Sequence, residues 1–482
     1  MFKNFLGACL LCALFLLFCT DAMAARGKNK PVSGQMVIQV NDHATLNQIL
    51  DQVNGHVINH IEKTDTYLIG FSGTDSPDRM VKQVRGRIPV KFAGSNNTIS
   101  IPEMDQISQE FPEEDPPVFI EGVQPEDFFA QAGIYDTGID DANQIATGDG
   151  IKVAVIDNGI DYDHPMMDTT RIYAAKDFVD NDYYPSYEQG EYISHGTFVT
   201  TLIMMTAPDC DIIPIRAFDT DGLSDQFTIA QAIYWAIDSG ASVINMSFGA
   251  TIIDAVLQAA INAADQAGIT MVGSAGNSGM EAYRYPAALP SVIAVNAVDT
   301  LEVLADFSNY GNHIDICAPG VRLYAGLAGE YDWGTWSGTS FSAPLVSGTV
   351  AMICDEFDTI SPAGVAERLR VSARTDLLWG QVSAPDIMYG YGFLDAYMAV
   401  SGGDQGTSSA GYVYRPVIGD LNGSGTVTDE DARILLNSIY VVGEEQFTVS
   451  QADLNGDGTV NIVDVSALLK QIKDKNLYLD QD

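Results

Sequence analysis

The chain has 482 residues, more than one ordinary domain holds, and 46% of them are apolar, enough for a large core. Lys and Arg number 24 against 64 Asp and Glu, a net charge of −40, which excludes nucleic acid and anionic membrane surfaces as natural partners. Of six cysteines, Cys9, Cys12 and Cys19 lie at the start, and the remaining Cys210, Cys317 and Cys354 are too sparse for a disulfide framework.

Residues 1–24 read as a secretory signal peptide: Lys3 precedes the apolar run Phe5 to Cys19, and Ala22-Met23-Ala24 supplies a small-x-small cleavage site. The run is short for a membrane span, and no later segment is long and apolar enough, so a secreted chain with no membrane span after signal removal is expected. Residues 32–105 alternate strand-like pieces (Met36–Val40, Tyr67–Phe71, Val90–Ala93) with amphipathic helical ones (Leu46–Val53, Asp78–Val84), the pattern of a small α+β domain. Residues 106–124 form an acidic, Pro-containing linker (Glu113-Glu114-Asp115-Pro116-Pro117), exposed and open to cleavage.

Residues 125–400 alternate strands and helices. Val153 to Ile156 is a continuous apolar run ending at Asp157, as in a buried parallel strand. Ile212–Arg216, Val243–Met246, Ile269–Val272 and Val292–Val295 are further strands, with helices over Phe227–Ser239 and Ile252–Gln266. This predicts a doubly wound, mostly parallel sheet, in which ligands sit at the carboxyl ends of the strands, where Asp157 stands. Ser194-His195-Gly196-Thr197 opens a small apolar helix and makes His195 a candidate base, although an isolated histidine is more often a packing residue. Gly273-Ser274-Ala275-Gly276-Asn277-Ser278-Gly279 follows a strand. It lacks the ending of a phosphate loop and the glycine spacing of a dinucleotide site, so it is either a plain turn or a loop that aims the Asn277 amide. Ser337-Gly338-Thr339-Ser340 leads into a helix apolar all round, placing Ser340 where unpaired N–H groups and the helix dipole favour negative charge. It is an N-cap or a nucleophile, depending on its partners.

Val-Ile-Asp157-x-Gly, His195-Gly-Thr, Ala-Gly-Asn277-x-Gly and Gly-Thr-Ser340-x-x-x-Pro stand in one order, and together they resemble the subtilisin-like serine proteases. The resemblance implies that Ser340 is the nucleophile, His195 the general base and acid, and Asp157 its orienting carboxylate, with Asn277 and the Ser340 N–H as the oxyanion hole. It also implies that Ser247, Phe248 and Gly249 form the edge that pairs with an extended polypeptide substrate. Phe198, Phe341 and Leu345 depart from the family pattern at positions that do not carry the chemistry. Residues 32–105 resemble the family's propeptide, implying a foldase and transient inhibitor removed by self-cleavage within about 105–120. A protease fold without activity, serving as a scaffold or inhibitor-binding protein, is the alternative.

Residues 401–416 are a Gly/Ser-rich linker, and 417–476 contain a repeat. Asp420, Asn422, Ser424, Thr426 and Asp431 recur as Asp453, Asn455, Asp457, Thr459 and Asp464, at positions 1, 3, 5, 7 and 12 of an EF-hand-type loop with glycine at 6. Two Ca2+ sites are expected, the first weaker because Ser424 replaces a carboxylate, and a calcium site in the catalytic domain stays open. The pair resembles type I dockerins, a small all-α module, which implies docking to a cohesin domain on a scaffold or cell-surface protein.

Overall fold

The computed structural model describes residues 30–402, apart from 73–75, 104–117, 120–127, 129–130, 189, 191, 330–332 and 379. The signal peptide and both calcium loops therefore lie outside the described residues. An N-terminal α+β unit comprises β1 (Pro31–Gln39), α1 (His43–Val53), β2 (Gly55–Ile61), β3 (Thr66–Phe71), α2 (Pro77–Arg85) and β4 (Phe92–Ser100). Asp42 caps α1 by accepting the Thr45 N–H at 2.8 Å, and Ser76 caps α2 with Pro77 at its first position. Met36, Ile38, Ile49, Ile69 and Val84 form its separate core. β2 was not foreseen: His56, Asn59 and His60 break the apolar pattern, and Val57 and Ile58 stay exposed.

The larger unit is built on a seven-stranded parallel sheet, as the alternation of strands and helices implied. Its members are β6 (Lys152–Asp157), β7 (Lys176–Asp177), β8 (Asp211–Arg216), β10 (Val243–Met246), β11 (Thr270–Ser274), β12 (Val292–Val298) and β13 (Ile316–Pro319), in the order β13-β12-β11-β10-β6-β8-β7. Chain order runs one way from β6 through β10 to β13 and the other way through β8, so the topological switch lies at β6. Helices cover the sheet: α3 (His195–Thr206) packs with α6 (Thr339–Glu356), and α4 (Gln226–Asp238) with α5 (Ala255–Gln266). Every residue of α3 is buried, as are Thr339 to Ile353 of α6, which explains why both read as apolar all round. The starts of α4 and α5 fall one residue before and three residues after the expected positions.

Two elements tie the units together. β5 (Val118–Phe119), inside the stretch expected to be linker, pairs antiparallel with β15 (Trp333–Trp336), which in turn pairs with β14 (Leu323–Gly326). β4 runs on past the expected end at Ala93 and pairs with β9 (Leu223–Asp225), so the N-terminal sheet, in the order β2-β3-β1-β4-β9, takes its last strand from the larger unit. Near the end of β4, Asn97 donates its backbone N–H and its side-chain amide to the two oxygens of Asp254, at 3.1 and 2.6 Å. Burial pushes the Asp254 carboxyl up to about 6, against the pull of those hydrogen bonds. It is thus charged above that pH and depends on Asn97 there. In a Ser340→Ala chain, which keeps both units on one polypeptide, Asn97→Ala should cost about 1–3 kcal/mol in urea unfolding at about pH 8. The loss should shrink as the pH falls through about 6 and Asp254 takes up a proton; an equal loss at both ends would show that the ionised carboxylate does not need these donors.

Candidate active site

Asp157 ends β6, at the switch point of the sheet. Its Oδ1 accepts the Asn158 N–H at 2.8 Å, and its two oxygens lie 2.8 and 3.0 Å from Nδ1 of His195. Asn158 joins the strand end to the start of α3: its amide donates to the Tyr192 carbonyl at 2.6 Å and its Oδ1 accepts the Gly196 N–H at 2.9 Å. Only glycine fits at 196, because a Cβ there would stand 2.2 Å from the Gly159 carbonyl oxygen. The helix start is thereby pressed against the end of β6, and the imidazole follows.

Ser340 is the second residue of α6. Pro344, four residues on, has no N–H to give the Ser340 carbonyl, an absence that normally weakens a helix. Ser247 replaces the missing donor: its hydroxyl donates to the Ser340 carbonyl at 2.8 Å and accepts from the Asn245 amide at 2.9 Å, while Ser347 donates to Asn245 Oδ1 at 2.8 Å. Of the three residues expected on the substrate edge, Ser247 thus braces the helix that carries Ser340, and Phe248 is buried against Phe218, with ring centroids 5.1 Å apart. Gly249 pairs antiparallel with Ser100, and the N–H of Ile101 donates to the Gly222 carbonyl at 3.2 Å. The chain's own segment 98–101 therefore lies extended between two edges of the larger unit.

Asn277 is aimed by Thr339, whose N–H and hydroxyl both donate to its Oδ1, at 3.0 and 2.7 Å. This leaves the Nδ2 amide facing Ser340's side of the cleft. The turn before it needs glycine at 276, where φ is +99° and a Cβ would meet the Asn309 amide at 2.6 Å.

Glu103 was not anticipated. Its side chain, 2% exposed, enters the space between these groups. Oε1 accepts from Asn277 Nδ2 at 3.1 Å; Oε2 accepts from Ser340 Oγ at 2.9 Å and stands 3.2 Å from His195 Nε2. Hydroxyl and imidazole thus meet through a carboxylate oxygen. Burial lowers the His195 pKa, but Asp157 on one side and Glu103 on the other more than offset this and raise it to about 10. The other histidines of this unit lie elsewhere: His164 packs edge-on against Trp333, and His313 against Tyr283.

The model of the Subtilase family matches residues 148–392, half of the chain. The chain is 36% identical over 282 residues to the thermophilic serine proteinase of Bacillus sp. (strain AK1), a match covering 56% of this chain and 67% of that protein. It is 32% identical over 269 residues to thermitase of Thermoactinomyces vulgaris, covering 53% of this chain and 90% of thermitase.

The chain belongs to the subtilase family, the subtilisin-like serine proteases.

Ahead of the subtilase domain, the Fervidolysin N-terminal prodomain model matches residues 20–96, and behind it the Dockerin type I domain model matches 418–473. The crystal structure of fervidolysin from Fervidobacterium pennivorans, titled a keratinolytic enzyme related to subtilisin, superposes with a TM-score of 0.65 at 23% identity. The match covers 77% of this chain and 61% of that one, and it shows a shared fold. Two of the departures of this subtilase from its family's motifs act together. Phe198 and Phe341 pack 4.7 Å apart, each against Trp336 at 5.9 and 5.0 Å, and His195 lies against Trp336 and Phe341 at 5.8 and 5.5 Å. An aromatic wall thus backs the imidazole. Among the described residues no cluster of three or more His, Cys, Asp or Glu is arranged to hold a metal ion, and no helix is long and apolar enough to cross a membrane.

The tie through Asn158 is open to test. Asn158→Ala removes both hydrogen bonds between the end of β6 and α3, so the imidazole loses its alignment. Turnover should fall about 10- to 100-fold, as small misplacements of catalytic groups cost, with KM nearly unchanged. Unaltered turnover would show that Asp157 and the aromatic wall position His195 without the Asn158 tie.

Proposed function

We propose that this subtilase is a secreted, self-processing serine endopeptidase, attached through a calcium-dependent dockerin to a cohesin-bearing partner. The observation that carries the proposal is the convergence of Ser340 Oγ, His195 Nε2 and the Asn277 amide on one carboxylate, with Asp157 behind the imidazole. The same donors suit a peptide carbonyl. With Glu103 withdrawn, His195 falls toward an ordinary pKa and takes the Ser340 proton as Oγ attacks the carbonyl carbon. Asn277 and the Ser340 N–H stabilise the oxyanion. His195 returns the proton to the leaving amine, and water, activated by the same imidazole, hydrolyses the acyl-enzyme. Asp157 holds the tautomer and balances the imidazolium.

Residues 32–105 act first as foldase and inhibitor. Their extended end lies along Gly249 and Leu223–Asp225 as an added strand, which supports self-cleavage within about 105–120, immediately beyond it. The dockerin residues lie outside the described structure, but their donor set of carboxylate, amide, hydroxyl and carbonyl oxygens suits Ca2+: Asp420, Asn422, Ser424, Thr426 and Asp431 in one loop, Asp453, Asn455, Asp457, Thr459 and Asp464 in the other. Calcium would relieve the repulsion within each acidic loop and so fold the module. The apolar leader and the dockerin match support a location outside the cell, with the enzyme held on a scaffold or cell surface.

A serine-directed phosphonate should label the processed enzyme stoichiometrically at Ser340, and Ser340→Ala should abolish both labelling and self-cleavage. Asn277→Ala should lower turnover by ~10²–10³. A processed chain that takes no label would instead be a non-catalytic protease fold, a scaffold or inhibitor-binding protein. Capture by an immobilised cohesin should need calcium and be lost with chelator, whereas capture indifferent to chelator would contradict the dockerin reading.

A further inference from the structure

Glu103 makes the contacts of a ligand, not those of a structural residue. Its carboxylate is nearly sealed from water and is held by the Ser340 hydroxyl, the Asn277 amide and the His195 imidazole. These groups come from α6, the loop after β11 and the start of α3, and a catalytic cycle would bring all three to bear on one peptide group: the hydroxyl on its carbon, the amide on its oxygen and the imidazole on the hydroxyl proton. A carboxylate is planar, with its charge spread over two oxygens. Oε1 therefore fills the position offered to an oxyanion, while Oε2 takes the hydroxyl proton that would otherwise point to the imidazole. Gly338 makes the space: a Cβ there would lie 2.3 Å from Oε1.

The charges at the site are few. Asp157 faces His195 from β6 and Glu103 faces it from the segment after β4. Asn277 and Ser340 are neutral, and Trp336 and Phe341 present rings. An imidazole between two carboxylates keeps its second proton, consistent with the rise of its pKa to about 10. A protonated imidazole cannot act as a base, and Ser340, donating to Oε2, has no base to receive its proton. One side chain thus blocks both the oxyanion position and proton transfer.

We infer that the catalytic centre is a carboxylate-binding site and that Glu103 is its built-in ligand, which holds the unprocessed chain latent. The inference rests on the protease reading and adds to it the residue and the chemistry of the block. It extends to ligands in trans: an acidic side chain delivered in the same extended register inhibits the processed enzyme.

The test uses processed enzyme and the C-terminally amidated peptide of residues 97–103, Asn-Thr-Ile-Ser-Ile-Pro-Glu, so that the side chain supplies the only carboxylate. It should inhibit turnover of a reporter peptide about 10- to 100-fold more strongly than its Glu103→Gln counterpart, the worth of a charge-assisted hydrogen bond. The effect requires His195 protonated. The advantage is therefore full below pH 6.5 and fades as the pH rises through about 10. Equal inhibition by the two peptides overturns the inference while leaving the protease reading intact. Absence of any turnover by processed enzyme overturns both. In the intact chain, Glu103→Gln should raise the rate at which the full-length species takes up phosphonate by a similar factor, and an unchanged rate counts against the block. In a Ser340→Ala background, where no processing intervenes, the same substitution should lower the His195 pKa read by NMR. A pKa unmoved by Glu103→Gln also overturns the inference, since a merely structural glutamate would leave it in place.

Discussion

His195 is fully buried, and an imidazole without water has only the partners the protein supplies. Here they are two carboxylates at its two nitrogens and an aromatic wall across its faces. The carboxylate on Nδ1 belongs to the folded scaffold, at the end of a buried strand. The one on Nε2 arrives on a segment that leaves a different unit of the chain. On the reading proposed above, that difference in origin separates a permanent partner from a removable one, and the protonation state of a single ring distinguishes a latent chain from an active one.

The scaffold's part is to bring two helix starts to one strand end and keep them there. Each junction is made by replacing something missing. Gly196 has no side chain, so α3 can close on the Gly159 carbonyl while Asn158 bonds both sides of the gap. Pro344 has no N–H, and Ser247, itself held by Asn245, to which Ser347 donates, gives its proton to the carbonyl left open at Ser340. The sequence spacing Ser340-x-x-x-Pro344 is therefore a statement about one helical turn, and its structural cost is met from a neighbouring strand. Thr339, one residue before Ser340, fixes Asn277, so Ser340 and the Asn277 amide are registered through adjacent residues.

Much of this was legible in the sequence because it is local. Asp157 ends an apolar run, His195 and Ser340 open helices apolar all round, and Asn277 follows a glycine turn; each sits in a short motif whose context fixes its place in the fold. The parallel sheet followed from the alternation of strands and helices, and the place of Asp157 at a strand's carboxyl end from the apolar run before it, whereas the switch point at that strand shows only in the strand order. What escaped was non-local or atypical. Glu103 is one acidic residue in an acidic stretch, and its meaning comes from contact with residues 92 and 237 positions away. β2 carries polar residues because its side chains are largely exposed, and β5 pairs with a strand more than 200 residues later. Trp336 had no motif to announce it, and the two phenylalanines that read as departures from a pattern make sense only when their rings are seen against one another.

The central claim is that Asp157, His195 and Ser340 work as one unit once Glu103 has gone. Groups acting as a unit lose their effect together. The direct measurement is kcat/KM for the Ser340→Ala, Asp157→Ala and doubly substituted chains, each processed in trans by active enzyme. The account predicts that the double variant is no slower than Ser340→Ala alone. Losses that multiply would contradict it, showing that the carboxylate and the hydroxyl serve separate steps.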